Sequence, residues 1–220
     1  MDIMLNSIEA RILGCMIEKQ ITTPDYYPLS LNALTNACNQ KSNRDPVVSF
    51  DETVVVRGLD TLQDKGLSEK LYKADSRVPK YKNNFDKNLN LSRRDVAVLC
   101  ELMLRGPQTL GELRSRGERM YKFKNIHEVE EVLAGLISRD PPMVTRLPRQ
   151  AGRKESRYMH LLSGEPEVSE TEPEATEESA RQEVRAENER IASLEEELSK
   201  LRKDFDTFIN EYKSFKSQFD

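Results

Sequence analysis

The sequence predicts a mainly helical α+β fold, built from two copies of a small unit and a separate C-terminal helix. Residues 92–162 show three amphipathic helices followed by two strand-like runs, and residues 7–82 repeat that order. A seven-residue apolar repeat occupies the end of the chain. Three helices followed by a hairpin is the element order of a winged helix. We therefore expect winged-helix (helix-turn-helix) domains at residues 1–83 and 84–163, a disordered acidic linker at 164–180 and a coiled-coil helix at 181–220.

The second copy has the clearest element boundaries. Ser92 and Asp95 stand three residues apart, a spacing at which each side chain can cap a free backbone N–H of the other residue. Residues 143–147 and 157–161, on either side of Gly152, predict the hairpin. The capping spacing also predicts the starts of the second and third helices, at Thr109 with Glu112 and at Asn125 with Glu128.

The first copy aligns with the second through its second helix. Residues 28–34 and 107–113 both begin with proline, continue with a hydroxyl cap and place leucines at matching positions. Cys15 and Cys100 also fall at matching positions, which favours buried apolar side chains over reactive thiols. Residues 83–91 are expected to form a short polar linker between the two copies.

The C-terminal quarter of the chain has a different composition. Residues 164–179 are mostly Glu, Pro, Ser and Thr, which bury too little apolar surface to order a chain. The heptad that follows predicts a parallel homodimer, with a single amphipathic helix folded back on the body as the alternative. The predicted dimer seam contains Ile191, Leu194, Leu198, Leu201, Phe205 and Phe208.

Charge and cysteine content narrow the class of protein. Residues 164–220 carry 17 acidic and 8 basic side chains, which leaves 26 basic and 21 acidic side chains before them, so an acidic tail follows a mildly basic body. There is no apolar run of membrane-spanning length and no secretory signal. The 3 cysteines form no CxxC pair and no even disulfide set. We expect a cytoplasmic protein without a membrane partner.

The sequence contains little that catalysis could use. Its 2 histidines, His127 and His160, have no second histidine or cysteine at metal-ligand spacing. There is no P-loop, no GxSxG and no GxGxxG. We expect no enzymatic activity, no cofactor and no metal.

Basic side chains remain as candidates for nucleic-acid binding. They cluster in the second helix and the wing of the second copy, and in a connection and the wing of the first copy. An ordinary solvated surface is the alternative for any one cluster. The candidate residues are Lys41, Arg44, Arg77, Lys80, Arg114, Arg116, Arg119, Lys122, Lys124, Arg149, Arg153, Lys154 and Arg157.

The third helices argue against direct reading of bases. A winged helix usually inserts its third helix into the major groove, where it contacts base edges. Here the third helix of the second copy carries Glu128, Glu130 and Glu131, and that of the first copy is also acidic. Carboxylates placed against phosphates are unfavourable. This pattern keeps open a role as a protein docking module.

Short segments of the body also resemble a known family. In order they read EKQ (18–20), TTP (22–24), YPLS (27–30), ACNQK (37–41), NR (43–44), PV (46–47), GELRSR (111–116), RMY (119–121) and ESRYMHL (155–161). This set resembles the YceH-like family of bacterial proteins over about residues 7–164. The resemblance implies two tandem winged-helix units and a variable coil-forming tail. It brings no catalytic or ligand residues with it.

These observations lead to one functional hypothesis and one alternative. The hypothesis is a regulatory, nucleic-acid-associated protein that contacts duplex DNA phosphates through the basic residues of its wings and second helix. The alternative is a protein–protein interaction scaffold that uses the winged-helix units and the coiled coil without binding DNA.

Overall fold

A computed structural model describes residues 4–72, 78–149 and 155–165. Over this part the chain is a mixture of α-helices and short antiparallel strands, in agreement with the predicted α+β class. The predicted coiled-coil helix, its seam residues and all of the predicted acidic linker beyond Glu165 lie outside the described residues.

The first half (residues 4–83) places a short strand between its first and second helices and ends in a pair of strands. A 3-10 turn at Pro24–Tyr26 precedes the short strand. The elements are α1 (Ser7–Thr22), β1 (Leu29–Ser30), α2 (Leu31–Cys38), α3 (Glu52–Asp64), β2 (Ser68–Leu71) and β3 (Lys80–Asn83).

The second half (residues 84–165) repeats the order of helices and ends in its own hairpin, after one additional short helix. The elements are α4 (Phe85–Asn88), α5 (Arg93–Arg105), α6 (Leu110–Gly117), α7 (Ile126–Ile137), β4 (Val144–Arg146) and β5 (Tyr158–His160).

Reciprocal side-chain caps start the helices where the sequence predicts them. Ser92 Oγ accepts the Asp95 N–H at 3.3 Å, while the Asp95 carboxylate accepts the Ser92 N–H at 2.8 Å. Thr109 and Glu112 form the same reciprocal pair at the start of α6. These bonds satisfy N–H groups that the first turn of a helix leaves without partners, so the local sequence sets both helix starts.

In both halves, the segment before the second helix pairs with the hairpin. In the first half the strand order is β1-β3-β2, all antiparallel, and Leu29 lies opposite Tyr81. In the second half Gln108 forms an isolated antiparallel bridge with Tyr158 of β5. Leu29 and Gln108 are therefore equivalent, which agrees with the predicted alignment of residues 28–34 with 107–113.

The two halves share one hydrophobic core, in which α1 packs against α5. A Cβ atom on Gly14 of α1 would lie 2.9 Å from Cδ2 of Leu104 in α5, so the close approach of these helices requires a glycine there. The Leu5 N–H donates to the Leu162 carbonyl at 2.6 Å, which joins the start of the first half to the end of the second. All described residues belong to one compact unit.

The segment between the halves differs from the expected polar linker. It contains α4, and Phe85 at its start is completely buried. A buried aromatic side chain contributes a large apolar area to the core, so residues 83–91 are part of the packed body.

All three cysteines are buried, as was predicted for Cys15 and Cys100. Cys15, Cys38 and Cys100 are each 0% exposed. The Cys15 thiol donates to the Ala37 carbonyl, and the Cys100 thiol donates to the Gly14 carbonyl across the α1–α5 contact, both at 3.3 Å. None of the helices in the described part of the chain is long and apolar enough to cross a membrane.

Candidate nucleic-acid interface

Two adjoining depressions form a groove on the surface of the second half, which we call the basic groove. It runs from α6 past the start of α7 to the base of the β4–β5 hairpin, and its two parts have volumes of about 480 and 190 Å³. Ile126, the first residue of α7, lies at the junction and is 45% exposed. The other lining residues are Leu110, Gly111, Arg114, Ser115, Glu118, Lys122, Phe123, Lys124, Arg146, Arg149, Glu155, Ser156 and Tyr158.

The segment between α6 and α7 forms one wall of this groove. Residues 118–124, which we call the basic loop, include Lys122 and Lys124. Phe123 is 4% exposed and packs edge-on against Tyr121, with the ring centroids 4.9 Å apart. A Cβ on Gly117, at the end of α6, would lie only 3.3 Å from the Phe123 ring. The buried ring therefore holds the loop against α6 and leaves its lysines in solvent.

Cations outnumber carboxylates along the groove. Lys122 lies 4.0 Å from Glu118, but their side chains are 84% and 62% exposed, so this ion pair is weak. Arg146 donates to the Ser156 hydroxyl at 3.0 Å and forms no ion pair with another residue in the described part of the chain. The charged lining residues are the cations Arg114, Lys122, Lys124, Arg146 and Arg149 and the carboxylates Glu118 and Glu155.

The three carboxylates of α7 differ in their contacts and their exposure. Glu128 accepts the Tyr121 hydroxyl and the Lys124 N–H, both at 2.8 Å, and lies 3.5 Å from Arg94. The Lys124 N–H, followed by the Tyr121 hydroxyl, holds the pKa of Glu128 below its ordinary value. Glu128 is thus committed to holding the basic loop. Glu130 and Glu131 are 49% and 57% exposed and flank His127 at 3.3 and 3.6 Å.

Arg44 was predicted to contact nucleic acid, and the structure corrects this prediction. Its side chain is 0% exposed, and its guanidinium donates to both oxygens of Glu18, at 2.6 and 3.1 Å, and to the Ala37 carbonyl. Burial is the largest single influence on Arg44 and lowers its pKa, but the hydrogen bond to Glu18 and the surrounding electrostatic interactions together raise the pKa above its ordinary value. A guanidinium enclosed in this way cannot contact a phosphate.

Three more of the arginines predicted to bind phosphates form ion pairs with carboxylates of the protein. Arg116 and Arg157 each lie 3.2 Å from an oxygen of Glu112, and Arg157 also donates to the Pro107 carbonyl at 2.6 Å. Arg119 contacts two buried carboxylates. Of the other predicted residues, Arg77, Arg153 and Lys154 lie outside the described residues, while Lys41 and Lys80 lie on the first half, away from the basic groove lining.

Among the described residues, the second helix of the first half lacks the cation that Arg114 places on α6. Thr35 and Asn36 of α2 take the places of Arg114 and Ser115 when Ser30 is aligned with Thr109. On α3, Glu52, Asp60 and Asp64 are exposed. The two halves are alike in backbone order and different in surface charge.

A buried charge cluster at the contact of the two halves was not predicted from sequence. Glu18 of α1 and Glu101 of α5 are each 0% exposed. Arg119 bridges them, with Nη1 2.5 Å from Glu18 Oε1 and Nη2 2.9 Å from Glu101 Oε1. Burial raises the pKa of Glu101 in spite of Arg119. Burial is also the largest single influence on Glu18, but the hydrogen bond to Arg44 and the positive charges of Arg44 and Arg119 together lower the pKa of Glu18 below its ordinary value. The only sequence signal was that Glu18, Arg44 and Arg119 lie in the family-like segments.

The described residues contain no group of three or more His, Cys, Asp or Glu side chains placed to hold a metal ion. The two histidines lie in different environments: His127 is on the surface of α7, whereas His160 is buried in β5.

Comparison with known proteins gives a family. A family profile described as "Protein of unknown function, DUF480" matches residues 5–153. A UPF0502 protein of Geotalea uraniireducens is 60% identical over 173 residues, 78% of each chain, and one of Geobacter sulfurreducens is 57% identical over the same length and coverage. A UPF0502 protein of Koribacter versatilis is 59% identical over 162 residues, 74% of this chain and 75% of its own. The chain therefore belongs to the DUF480/UPF0502 family of bacterial proteins.

Proposed function

We propose that this protein binds duplex DNA through the basic groove of its second half and acts as a regulatory, non-enzymatic DNA-associated protein. The observation that carries the proposal is the excess of cations among the described lining residues of the groove, 5 against 2 carboxylates. Closely spaced, solvated cations neutralise phosphates and release counterions from the duplex.

The element order supports tandem winged-helix architecture as part of this proposal. Each half runs helix, short extended segment, helix, helix and hairpin, and the extended segment pairs with the hairpin. The resemblance to the YceH-like family points the same way. In a helix-turn-helix unit the second and third helices face the duplex, and the basic groove lies between α6 and the start of α7.

We expect contacts to phosphates rather than to base edges. The groove cations lie on α6, the basic loop and the hairpin base, whereas the exposed face of α7 carries Glu130 and Glu131. Phosphate contacts position a protein but carry no sequence information. Binding should therefore show little sequence preference and a steep dependence on salt.

The test is fluorescence anisotropy with a random-sequence duplex of about two helical turns, over a salt series, using the chain with and without its acidic tail. Changing Arg114, Lys122 and Arg149 to Ala should lower the log–log salt slope by about 2 to 3 units, at ~0.9 per phosphate neutralised. The matched control changes three exposed cations elsewhere, Arg57, Lys87 and Arg93. An equal effect of the two triples, or tight binding with a flat salt slope, would contradict the proposal.

The carboxylates of α7 give a second comparison in the same assay. Glu130→Gln with Glu131→Gln should strengthen binding if α7 approaches the duplex, because two exposed negative charges are removed. Glu128→Gln should weaken it, since Glu128 holds the basic loop.

Dimerisation through the C-terminal helix stays a prediction from sequence. Leu194→Asp with Leu201→Asp places carboxylates in the apolar seam and should convert a dimer into a monomer in light scattering. A dimer would present two basic grooves and bind by avidity.

A protein-interaction scaffold is the second candidate, favoured by exposed aromatic side chains. Tyr26 is 77% and Tyr72 73% exposed, both on the first half. Tyrosines at such exposure are common anchors of protein interfaces. This function predicts duplex affinity no better than that of any protein of similar charge, and loss of function in cells from Tyr26→Ser and Tyr72→Ser.

A further inference from the structure

The basic loop depends on side-chain anchors for its position. Residues 118–124 form turns and irregular backbone between α6 and α7. Within it, the N–H groups of Met120 and Tyr121 both donate to the Gly117 carbonyl. Two of the groove cations, Lys122 and Lys124, belong to this loop, so the shape of the groove depends on how the loop is held.

One end of the loop is held from within its own half. The Tyr121 hydroxyl and the Lys124 N–H both donate to Glu128, at 2.8 Å each. These bonds tie the last four residues of the loop to the first turn of α7.

The other end is held by Arg119, which reaches both halves of the protein. Its Nη1 lies 2.5 Å from Glu18 of α1, and its Nη2 and Nε lie 2.9 and 3.3 Å from Glu101 of α5. The two carboxylates have side chains 1% and 0% exposed. The Arg119 side chain itself is 29% exposed, but both acceptors are buried, so these charge-assisted bonds are stronger than those between two solvated groups.

We propose that Arg119 is a positioning residue for the basic groove, which fixes the basic loop by bridging Glu18 and Glu101 and so makes the first half part of the binding site. This inference rests on the proposed function. Arg119 was expected to contact phosphates, but its guanidinium is already shared between two protein carboxylates. Arg119 contributes to binding indirectly, because it fixes the positions of Lys122 and Lys124 in the basic loop.

Charge balance guides the choice of variant. Arg119→Gln alone leaves Glu101 buried with Arg105, at 3.5 Å, as its remaining ion-pair partner among the described residues, which could unfold the protein. The double variant Arg119→Gln with Glu101→Gln removes one charge of each sign, and Glu18 keeps Arg44. The matched control is Arg105→Gln with Glu101→Gln, which makes the same net charge change and shares the Glu101 substitution but keeps Arg119 and its contact with Glu18.

The first measurement is hydrogen exchange on the full-length free protein. The amides of Met120 and Tyr121 should exchange faster in the Arg119 double variant than in wild type, while those of α1 and α5 keep their protection. The control should exchange more slowly at these amides than the Arg119 double variant, because it keeps the Arg119–Glu18 contact. Unchanged loop exchange would overturn the inference, whatever the protein binds.

The second measurement is anisotropy with the random duplex over the salt series. If the loop occupies its competent position about a tenth of the time, apparent affinity falls about tenfold. The salt slope should equal that of wild type, because no phosphate contact is lost. A slope lower by ~0.9 would mean that Arg119 itself contacts a phosphate. Faster loop exchange with unchanged affinity would also contradict positioning.

The two proposals fail in different ways. If the Arg114, Lys122 and Arg149 triple has no effect on affinity, DNA binding by the groove is wrong, and the exchange result alone decides whether Arg119 holds the loop. If the triple weakens binding and the Arg119 double variant does not, only the positioning inference is wrong.

Discussion

The Glu18 carboxylate binds two guanidinium groups in a place that water hardly reaches. Its side chain is 1% exposed, and Arg44 beside it is 0% exposed. Burying these charges costs free energy that their mutual attraction only partly offsets, so the pair specifies a geometry more than it adds stability. Removing one partner strongly destabilises the fold, because the other charge stays buried without a counter-charge.

Glu18→Gln should therefore lower the free energy of unfolding by about 3 to 5 kcal/mol, the usual effect of breaking a buried ion pair. Urea denaturation followed by circular dichroism measures it. Glu130→Gln, at an exposed carboxylate, is the control and should stay within ~0.5 kcal/mol of wild type. An equally small effect at Glu18 would show that water reaches the cluster.

His160 makes a separate prediction about pH. It is 6% exposed in β5, and burial lowers its pKa to about 4. The unfolded chain binds a proton near pH 6.5 and the folded chain does not, so stability is fully present above pH 6.5 and falls as the pH drops toward 4.

Between pH 7 and pH 5 this histidine should remove about 2 kcal/mol of stability. His160→Leu should lose that part of the pH dependence in urea denaturation, while Met159→Leu on the same strand should follow the wild-type curve. Parallel pH curves for wild type and His160→Leu would mean that the folded state accommodates the charged imidazole.

At the scale of elements, the packing of α1 depends on glycines at its contacts. Gly14 faces Leu104 of α5, and a Cβ on Gly58 of α3 would lie 2.5 Å from Cδ1 of Ile12 in α1. α1 thus packs closely on a helix of its own half and on a helix of the other half. Overpacking such a contact forces side chains out of their rotamers.

Two glycines in helices should respond in opposite ways to alanine. Gly14→Ala should destabilise the protein by about 1 to 3 kcal/mol, because Leu104 has to move in a filled core. Gly135→Ala in α7, where no atom lies within 4 Å of the added Cβ, should stabilise it by about 0.5 to 1 kcal/mol through helix propensity. Thermal melts measure both changes. The same sign at the two positions would contradict the close α1–α5 contact.

At the scale of the whole molecule, the two halves are joined by the α1–α5 contact, the charge cluster and buried Phe85. These contacts are part of one core, and the chain between the halves contributes to it. A body of this kind should unfold as one cooperative unit.

Native-state hydrogen exchange at rising urea should give one common opening free energy for peptides from both halves. Leu104→Ala, a fully buried change at the α1–α5 contact, should lower that value by about 2 to 5 kcal/mol in both halves alike. Two separate transitions, or an effect confined to residues 84–165, would instead support independent domains at 1–83 and 84–163.

The sequence by itself determined the local structure. Capping pairs such as Ser92 with Asp95 act over three residues, and apolar periodicity is a property of a single helix. Helix starts and buried helix faces could therefore be predicted without tertiary information. The hairpins followed from similarly short patterns, and the alignment of the two copies along the chain gave the internal repeat and the burial of Cys15 and Cys100. The basic character of α6 and the hairpin base was legible too.

Only the tertiary structure decided which charges face solvent. Arg44 and Lys41 stand three residues apart in one basic segment, yet Arg44 is enclosed by Glu18 and Lys41 is exposed. Glu128 and Glu130 are neighbours on α7, yet one holds a loop and the other is on the surface. A charged side chain is equally polar in either setting. What separates them is the partner that each side chain meets after folding. Arg44 meets Glu18, 26 residues earlier in the chain, and Glu128 meets the Tyr121 hydroxyl and the Lys124 N–H once the basic loop has packed against α7. For Arg119 the partner Glu18 comes from the other half, so that contact forms only when the two halves pack.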